Sequence, residues 1–225
     1  MRKKILESSN YFTENFNANI YCDIALENYF LTKDVYKKIL DATDPCDEYL
    51  TNYDYYHSKQ IICTVFSQMC IESLLNDFIV EFLTKNEIDS FYDKLSIQDK
   101  IKFIAKFILN KKVKTDGILF NCLSLTTKNR NANIHNKSIL ISYEEFHANE
   151  KEFKNIKLNK NDFQELFVLA KQSIIAIIET ANFLSIPKPG YCTLLDMLFI
   201  GKYGKDTDLR NMAVKEFKIA VNTSI

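Results

Sequence analysis

Ile61-Ile62-Cys63-Thr64-Val65-Phe66-Ser67-Gln68-Met69-Cys70-Ile71-Glu72-Ser73-Leu74-Leu75-Asn76-Asp77-Phe78-Ile79 is the heart of a stretch, residues 57–84, that decides the fold. Its large apolar residues fall on nearly every side of a helical wheel, out to Phe82 and Leu83. A helix that is apolar all round must be enclosed by other helices. Its polar residues are therefore informative. Glu72 and Asn76 are four apart and share a face, with Asp77 beside them. A buried carboxylate needs a cation, and Arg130 is a candidate. The alternative is that Glu72 emerges at a solvent seam.

Composition agrees with a helical core. The chain has 225 residues, 47% of them hydrophobic, with only 4 Gly and 3 Pro. That is enough to bury a real core, with too few turn residues for an all-β sandwich. Outward from residues 57–84, residues 11–42 read as one or two amphipathic helices carrying Phe12, Phe16, Ile20, Ile24 and Tyr29, and Asp44-Pro45 ends them. Residues 51–56 read as a tyrosine-rich connector.

Downstream, Ser96 caps a helix reaching Leu109, with Asp99 at the capping-box position. Ile97, Ile101, Ile104, Ala105 and Ile108 face inward there, and Lys100, Lys102 and Lys106 outward. Lys111-Lys112-Val113-Lys114 is a basic turn, read as a solubilising loop. Asp116-Gly117 opens a further helix through Ile118, Leu119, Phe120, Leu123 and Leu125. Asn161 or Asp162 caps a long helix to about Leu184. Pro187-Lys188-Pro189-Gly190 is the clearest boundary. Beyond it lie a short apolar helix at 194–200 and a last helix at 209–221. Gly201-Lys202-Tyr203-Gly204-Lys205 between them reads as a turn, because the rest of a phosphate-cradling loop is missing.

Formal net charge is zero, from 29 Lys+Arg and 29 Asp+Glu, which argues against coating nucleic acid through bulk charge. The distribution is uneven. Residues 94–137 hold ten Lys/Arg and two Asp/Glu, and residues 14–54 hold three and nine. The basic third contains Arg130-Asn131-Ala132-Asn133-Ile134-His135, a polar break behind an apolar run. Arginine offers a planar, permanently charged fork that matches phosphate oxygens. Histidine suits proton transfer near neutral pH. The plainer alternative is a solvated helix start.

The six cysteines (Cys22, Cys46, Cys63, Cys70, Cys122, Cys192) show no metal-ligand spacing and read as reduced thiols of an intracellular, cytoplasmic protein. No signal-peptide apolar region follows Met1, and no run of about 18 apolar residues is expected to meet a membrane. Neither a metal nor another cofactor is called for.

A long central helix, a short one, a third leading into Arg130, and a long closing helix resemble the HEPN superfamily, helical domains of prokaryotic defence and toxin systems and of some eukaryotic RNases. The likeness rests on Arg130-Asn131 followed by His135, an R-N-x-x-x-H pattern at the shortest family spacing, and on the acidic Glu72 within the first long helix. It covers residues 56–186. It implies an all-α, up-and-down HEPN-like bundle at 56–186, with helical extensions at 1–55 and 187–225.

It also implies a metal-independent endoribonuclease acting as a homodimer, with two motifs meeting across a two-fold axis. His135 would serve as general base or acid at the ribose 2′-hydroxyl or the leaving oxygen. Arg130 would stabilise the pentacovalent phosphate, and Asn131 would orient the imidazole or bind a phosphate oxygen. On one ideal helix Arg130 and His135 point about 140° apart, so they converge only if the backbone breaks between them or two copies share the site. Glu72 and Asn76 would support the site. RNA is the implied substrate and an antitoxin or other regulatory protein a possible partner. One toxin subgroup carries a modifiable Tyr two residues after the His; here that position is Lys137, which argues against that regulation and leaves a side chain for RNA phosphate. The competing readings are a catalytically inactive HEPN-fold module that binds nucleotide or protein, and an unrelated helical bundle.

Overall fold

A computed structural model describes residues 17–41, 53–134, 160–185, 194–199 and 207–220. The described residues form no strand, and the protein is all-α. The helices are α1 (Asn17–Asp41), α2 (Tyr53–Ile79), α3 (Lys85–Ser90), α4 (Ile97–Phe103), α5 (Ile118–Ile134), α6 (Lys160–Leu184), α7 (Leu194–Phe199) and α8 (Thr207–Phe217).

α2 is the enclosed helix that its sequence demands. It packs against α1, α5 and α6, while α6 also meets α1, α5 and α7, and α8 closes on α1 and α7. One apolar cluster threads all of these, including Leu26 and Tyr29 of α1, Leu75 and Phe78 of α2, Ile174 and Ile177 of α6, Leu198 of α7 and Ala213 of α8. α8 runs beside α1 in the same direction, because Arg210 meets Asn19 and Asp23 while Glu216 meets Tyr29 and Lys33.

Several boundaries differ from expectation. α2 starts at Tyr53, so the tyrosine-rich connector is largely helix; Tyr53 and Tyr56 pack against Val35, Ile39 and Phe163 in a second apolar cluster. α2 stops at Ile79 rather than continuing to residue 84, and the amides of Phe82 and Leu83 turn back onto the Ile79 carbonyl. On α1 the inward face is Cys22, Ala25, Leu26 and Tyr29, with Ile20 exposed. The small residues Ala18, Cys22 and Ala25 let the α1 backbone approach the core closely, so the face is chosen by fit rather than by size.

Ser96 caps α4 by accepting from the Asp99 amide, as its sequence signals. After Phe103 the helix widens into a π-turn over Ile104–Ile108, closed by Leu109 N–H to the Ile104 carbonyl at 2.9 Å. Asn110 then adopts φ 51°, the left-handed region that asparagine tolerates. Lys100 does not face out. It is buried, its Nζ donating to Asn76 Oδ1 at 3.1 Å and lying 4.9 Å from the Tyr92 ring centroid.

α6 spans the expected residues and buries the expected stripe. By length and composition it is also apolar enough to cross a membrane, contrary to the expectation that no such stretch exists; half of that stretch is buried inside the protein. Cys22, Cys63, Cys70 and Cys122 are free and buried. Burial pushes the Cys63 thiol up to about 12 and the Cys122 thiol up to about 11, so neither is a ready nucleophile. The proline-rich boundary, the Gly201–Lys205 turn, Asp44-Pro45, His135 and Lys137 lie outside the described residues.

Candidate functional site

α5 does not break ahead of Arg130. It is helical through Ile134, so Arg130 and Asn131 lie on its last described turn. The expected polar break is helical because the turn is tied to α2 from beneath. Gln60 Nε2 donates to Asn129 Oδ1 at 2.9 Å, and Asn133 Nδ2 donates to the Asn129 carbonyl at 2.9 Å and to its Oδ1 at 3.2 Å. These bonds supply partners that a polar turn would otherwise seek from water.

Gln60 belongs to a buried polar seam inside the bundle. Its Nε2 also donates to Thr64 Oγ1 at 2.8 Å, Thr64 Oγ1 lies 3.2 Å from Ser173 Oγ on α6, and Gln68 Nε2 donates to Thr127 Oγ1 at 2.8 Å. Gln60 is fully buried, and its Oε1 has no hydrogen-bond partner. In an apolar core such a seam specifies register, because sliding either helix would strand its polar groups. α2 and α5 cross antiparallel here, since Gln60 meets Asn129 while Gln68 meets Thr127. The sequence carried a signal for this seam in Gln60, Thr64, Ser67 and Gln68, a polar stripe at helical spacing on an otherwise apolar helix.

Above the seam, the Arg130 guanidinium is half-exposed. Its one hydrogen bond runs from Nη1 to the neighbouring Asn131 Oδ1 at 3.4 Å, and it makes no ion pair among the described residues. Asn131 is exposed. The two form an open donor pair on the last described turn of α5.

Glu72 and Asn76 do not join them. Measured from the Gln68–Thr127 contact, Glu72 lies four residues along α2 and Arg130 three residues the opposite way along α5, about 10 Å apart along the helix axes. Glu72 is exposed and makes no ion pair among the described residues, so it sits at a solvent seam rather than facing Arg130. Asn76 instead accepts from buried Lys100. These two line a shallow cleft of about 340 Å³ with Asn17, Tyr21, Met69, Ser73 and Asp77. Burial pushes the Asp77 carboxyl up to about 6, against the lowering pull of a Ser73 hydrogen bond. Among the described residues, no group of three His, Cys, Asp or Glu could hold a metal ion.

Comparison with protein-family models, with curated proteins and with solved structures finds no match to this chain.

Proposed function

We propose that this protein is a HEPN-type, metal-independent endoribonuclease of a bacterial toxin or antiphage defence system, with Arg130 and His135 as its working pair. The observation that carries this reading is the state of Arg130. A half-exposed guanidinium with no acidic partner among the described residues stands on a turn tied to the core from below. That arrangement leaves donors available to a phosphate, and positioning costs little when binding occurs.

In this reading Arg130 binds the scissile phosphate and stabilises charge on its pentacovalent form. His135, four residues after Asn131 in the sequence, moves the proton at the ribose 2′-oxygen or at the leaving 5′-oxygen. The requirement for a 2′-hydroxyl restricts the substrate to RNA. A two-fold dimer would bring two Arg130/His135 pairs to one cleft.

A second reading, a HEPN-fold module that binds without cutting, has one observation behind it. Glu72, the expected acidic supporter, is exposed and makes no ion pair with Arg130.

Cleavage of a mixed RNA pool in EDTA separates the two. Wild type should cut, and His135→Ala and Arg130→Ala should each lose at least about a hundredfold in rate. If wild type leaves the pool intact yet retains it on a filter, the binding reading replaces the nuclease.

A further inference from the structure

The surface around the π-turn has a composition that the Arg130 site does not use. Phe91, Phe103 and Phe107 form a continuous row of rings, with centroids 5.1 Å apart for the first pair and 5.0 Å for the second. The two outer rings are exposed, Phe91 by 38% and Phe107 by 49%. Two large aromatic side chains left partly in water on either side of Phe103 mark a contact surface.

Lysines surround this row. Lys94, Lys102, Lys106, Lys111, Lys112 and Lys114 are all exposed, and Lys106 Nζ lies 5.2 Å from the Phe107 ring centroid. The backbone gathers them. Lys111 N–H returns to the Ala105 carbonyl at 2.8 Å, so left-handed Asn110 folds the basic loop back against the turn that carries Phe107. Of the acids nearby in sequence, Asp99 is engaged by Lys102 at 3.0 Å and by the Ser96 hydroxyl at 2.7 Å, Asp93 lies 4.0 Å from Lys100, and Glu87, Asp89 and Asp116 are exposed on the flanking segments.

From this juxtaposition we infer that the Phe91–Phe103–Phe107 row and its lysine rim form a binding surface for single-stranded nucleic acid. The rings offer faces on which unpaired bases stack, and the lysines meet the backbone phosphates. Stacking of this kind is tolerant of sequence, and its partner is a polyanion. A duplex would hide its base faces, whereas a single strand presents them. The site stands apart from Arg130. Lys102 Nζ lies 6.0 Å from the Phe120 ring, which puts the surface beside the start of α5, and Arg130 is ten residues along that helix, about 15 Å away. A strand of four or five stacked nucleotides, at about 3.4 Å each, spans that length. The lysine loop read from sequence as a solubilising turn thus acquires a role once the aromatic row is seen beside it.

The test is fluorescence anisotropy of a labelled 12-nucleotide oligodeoxythymidylate, which has no 2′-hydroxyl, against the full chain, across a range of salt concentrations. Phe107→Leu should weaken binding by roughly five- to a hundredfold, while Phe107→Tyr should hold it within about twofold, because only the second keeps a ring to stack on. Circular dichroism checks that both remain folded. Lys111→Glu with Lys112→Glu should reduce the slope of log affinity against log salt by about 1.4, two phosphate contacts at about 0.7 each.

Because a strand without a 2′-hydroxyl cannot be cut, its affinity reports this surface whether or not the chain cleaves RNA. The surface is therefore judged separately from the nuclease. Equal affinity of Phe107→Leu and wild type would overturn the inference. So would absence of binding by wild type, or binding only to phosphatidylserine-containing vesicles, which would make the patch a membrane contact.

Discussion

The two described arginines show how differently one side chain can be used. Arg210 on α8 is fully buried. Its Nε donates to Asp23 Oδ1 at 2.7 Å, and its Nη atoms reach Asn19 Oδ1 at 3.2 Å, the Asn19 carbonyl at 3.3 Å and the Met197 carbonyl at 3.5 Å. It clamps α8 and α7 onto α1. Arg130 on α5 is half-exposed and, among the described residues, reaches only its neighbour Asn131. A guanidinium whose donors are saturated by the protein has nothing left to offer a ligand. One held on a fixed turn with donors free can bind at little ordering cost. The difference lies in the partners, since the residues are chemically identical.

Removing the buried clamp should have the largest effect. Arg210→Ala leaves the mostly buried Asp23 carboxylate without its cation and should cost about 3 to 5 kcal/mol in urea unfolding at pH 7. If the loss is under 1 kcal/mol, Arg210 is not the clamp and the contrast fails.

A smaller effect of opposite sign is expected at the α2 cleft. The folded pKa of Asp77 is raised to about 6, above its unfolded value near 3.8. The folded state therefore holds the proton more tightly, and ionising Asp77 costs stability that returns as pH falls from about 6 towards 4. Asp77→Asn should stabilise the protein by about 1 to 2 kcal/mol at pH 7, after discounting for its partial exposure, and by almost nothing below pH 4. A gain that persists unchanged at pH 4 would point to packing instead of charge.

Gln60→Leu tests the tie beneath Arg130. It removes the donor to Thr64 and Asn129 but also a buried oxygen without a partner, so the net cost should be only about 1 kcal/mol. Its clearer signature is faster amide exchange confined to Asn129–Ile134. Uniform acceleration along α5 would mean that the tie does not govern that turn. Arg130→Ala should be the mildest of all in stability, within about 0.5 kcal/mol, because a half-exposed arginine without an ion pair holds little together. A loss comparable to that of Arg210→Ala would erase the distinction between the two.

What could be read beforehand follows the same division. Residues 57–79 and 161–184 were legible as long helices because their apolar residues repeat with the helical period, and Ser96 with Asp99 announced a cap that exists. Lys100 misled, since a lysine among isoleucines looks like the solvent side of a helix. It is buried because Asn76, twenty-four residues earlier on another helix, accepts from it and the Tyr92 ring lies beneath it. Glu72 left two readings open, a buried carboxylate paired with a cation and one at a solvent seam. Its neighbours are apolar, yet its own position faces water. Arg210 gave no warning at all, because Asn19 and Asp23 are nearly two hundred residues away in sequence.

By itself the sequence determined that this chain is helical, that residues 57–79 lie at its centre, and that positive charge gathers between residues 94 and 137. Those are properties of composition and period, which each segment carries locally. Tertiary structure decided which polar side chains are saturated and which are left with donors to offer. It joined Gln60 to Asn129, closed Arg210 inside the core, and set Phe107 beside a fold of lysines. Such pairings depend on distances between segments far apart in the chain, and no local pattern encodes a distance.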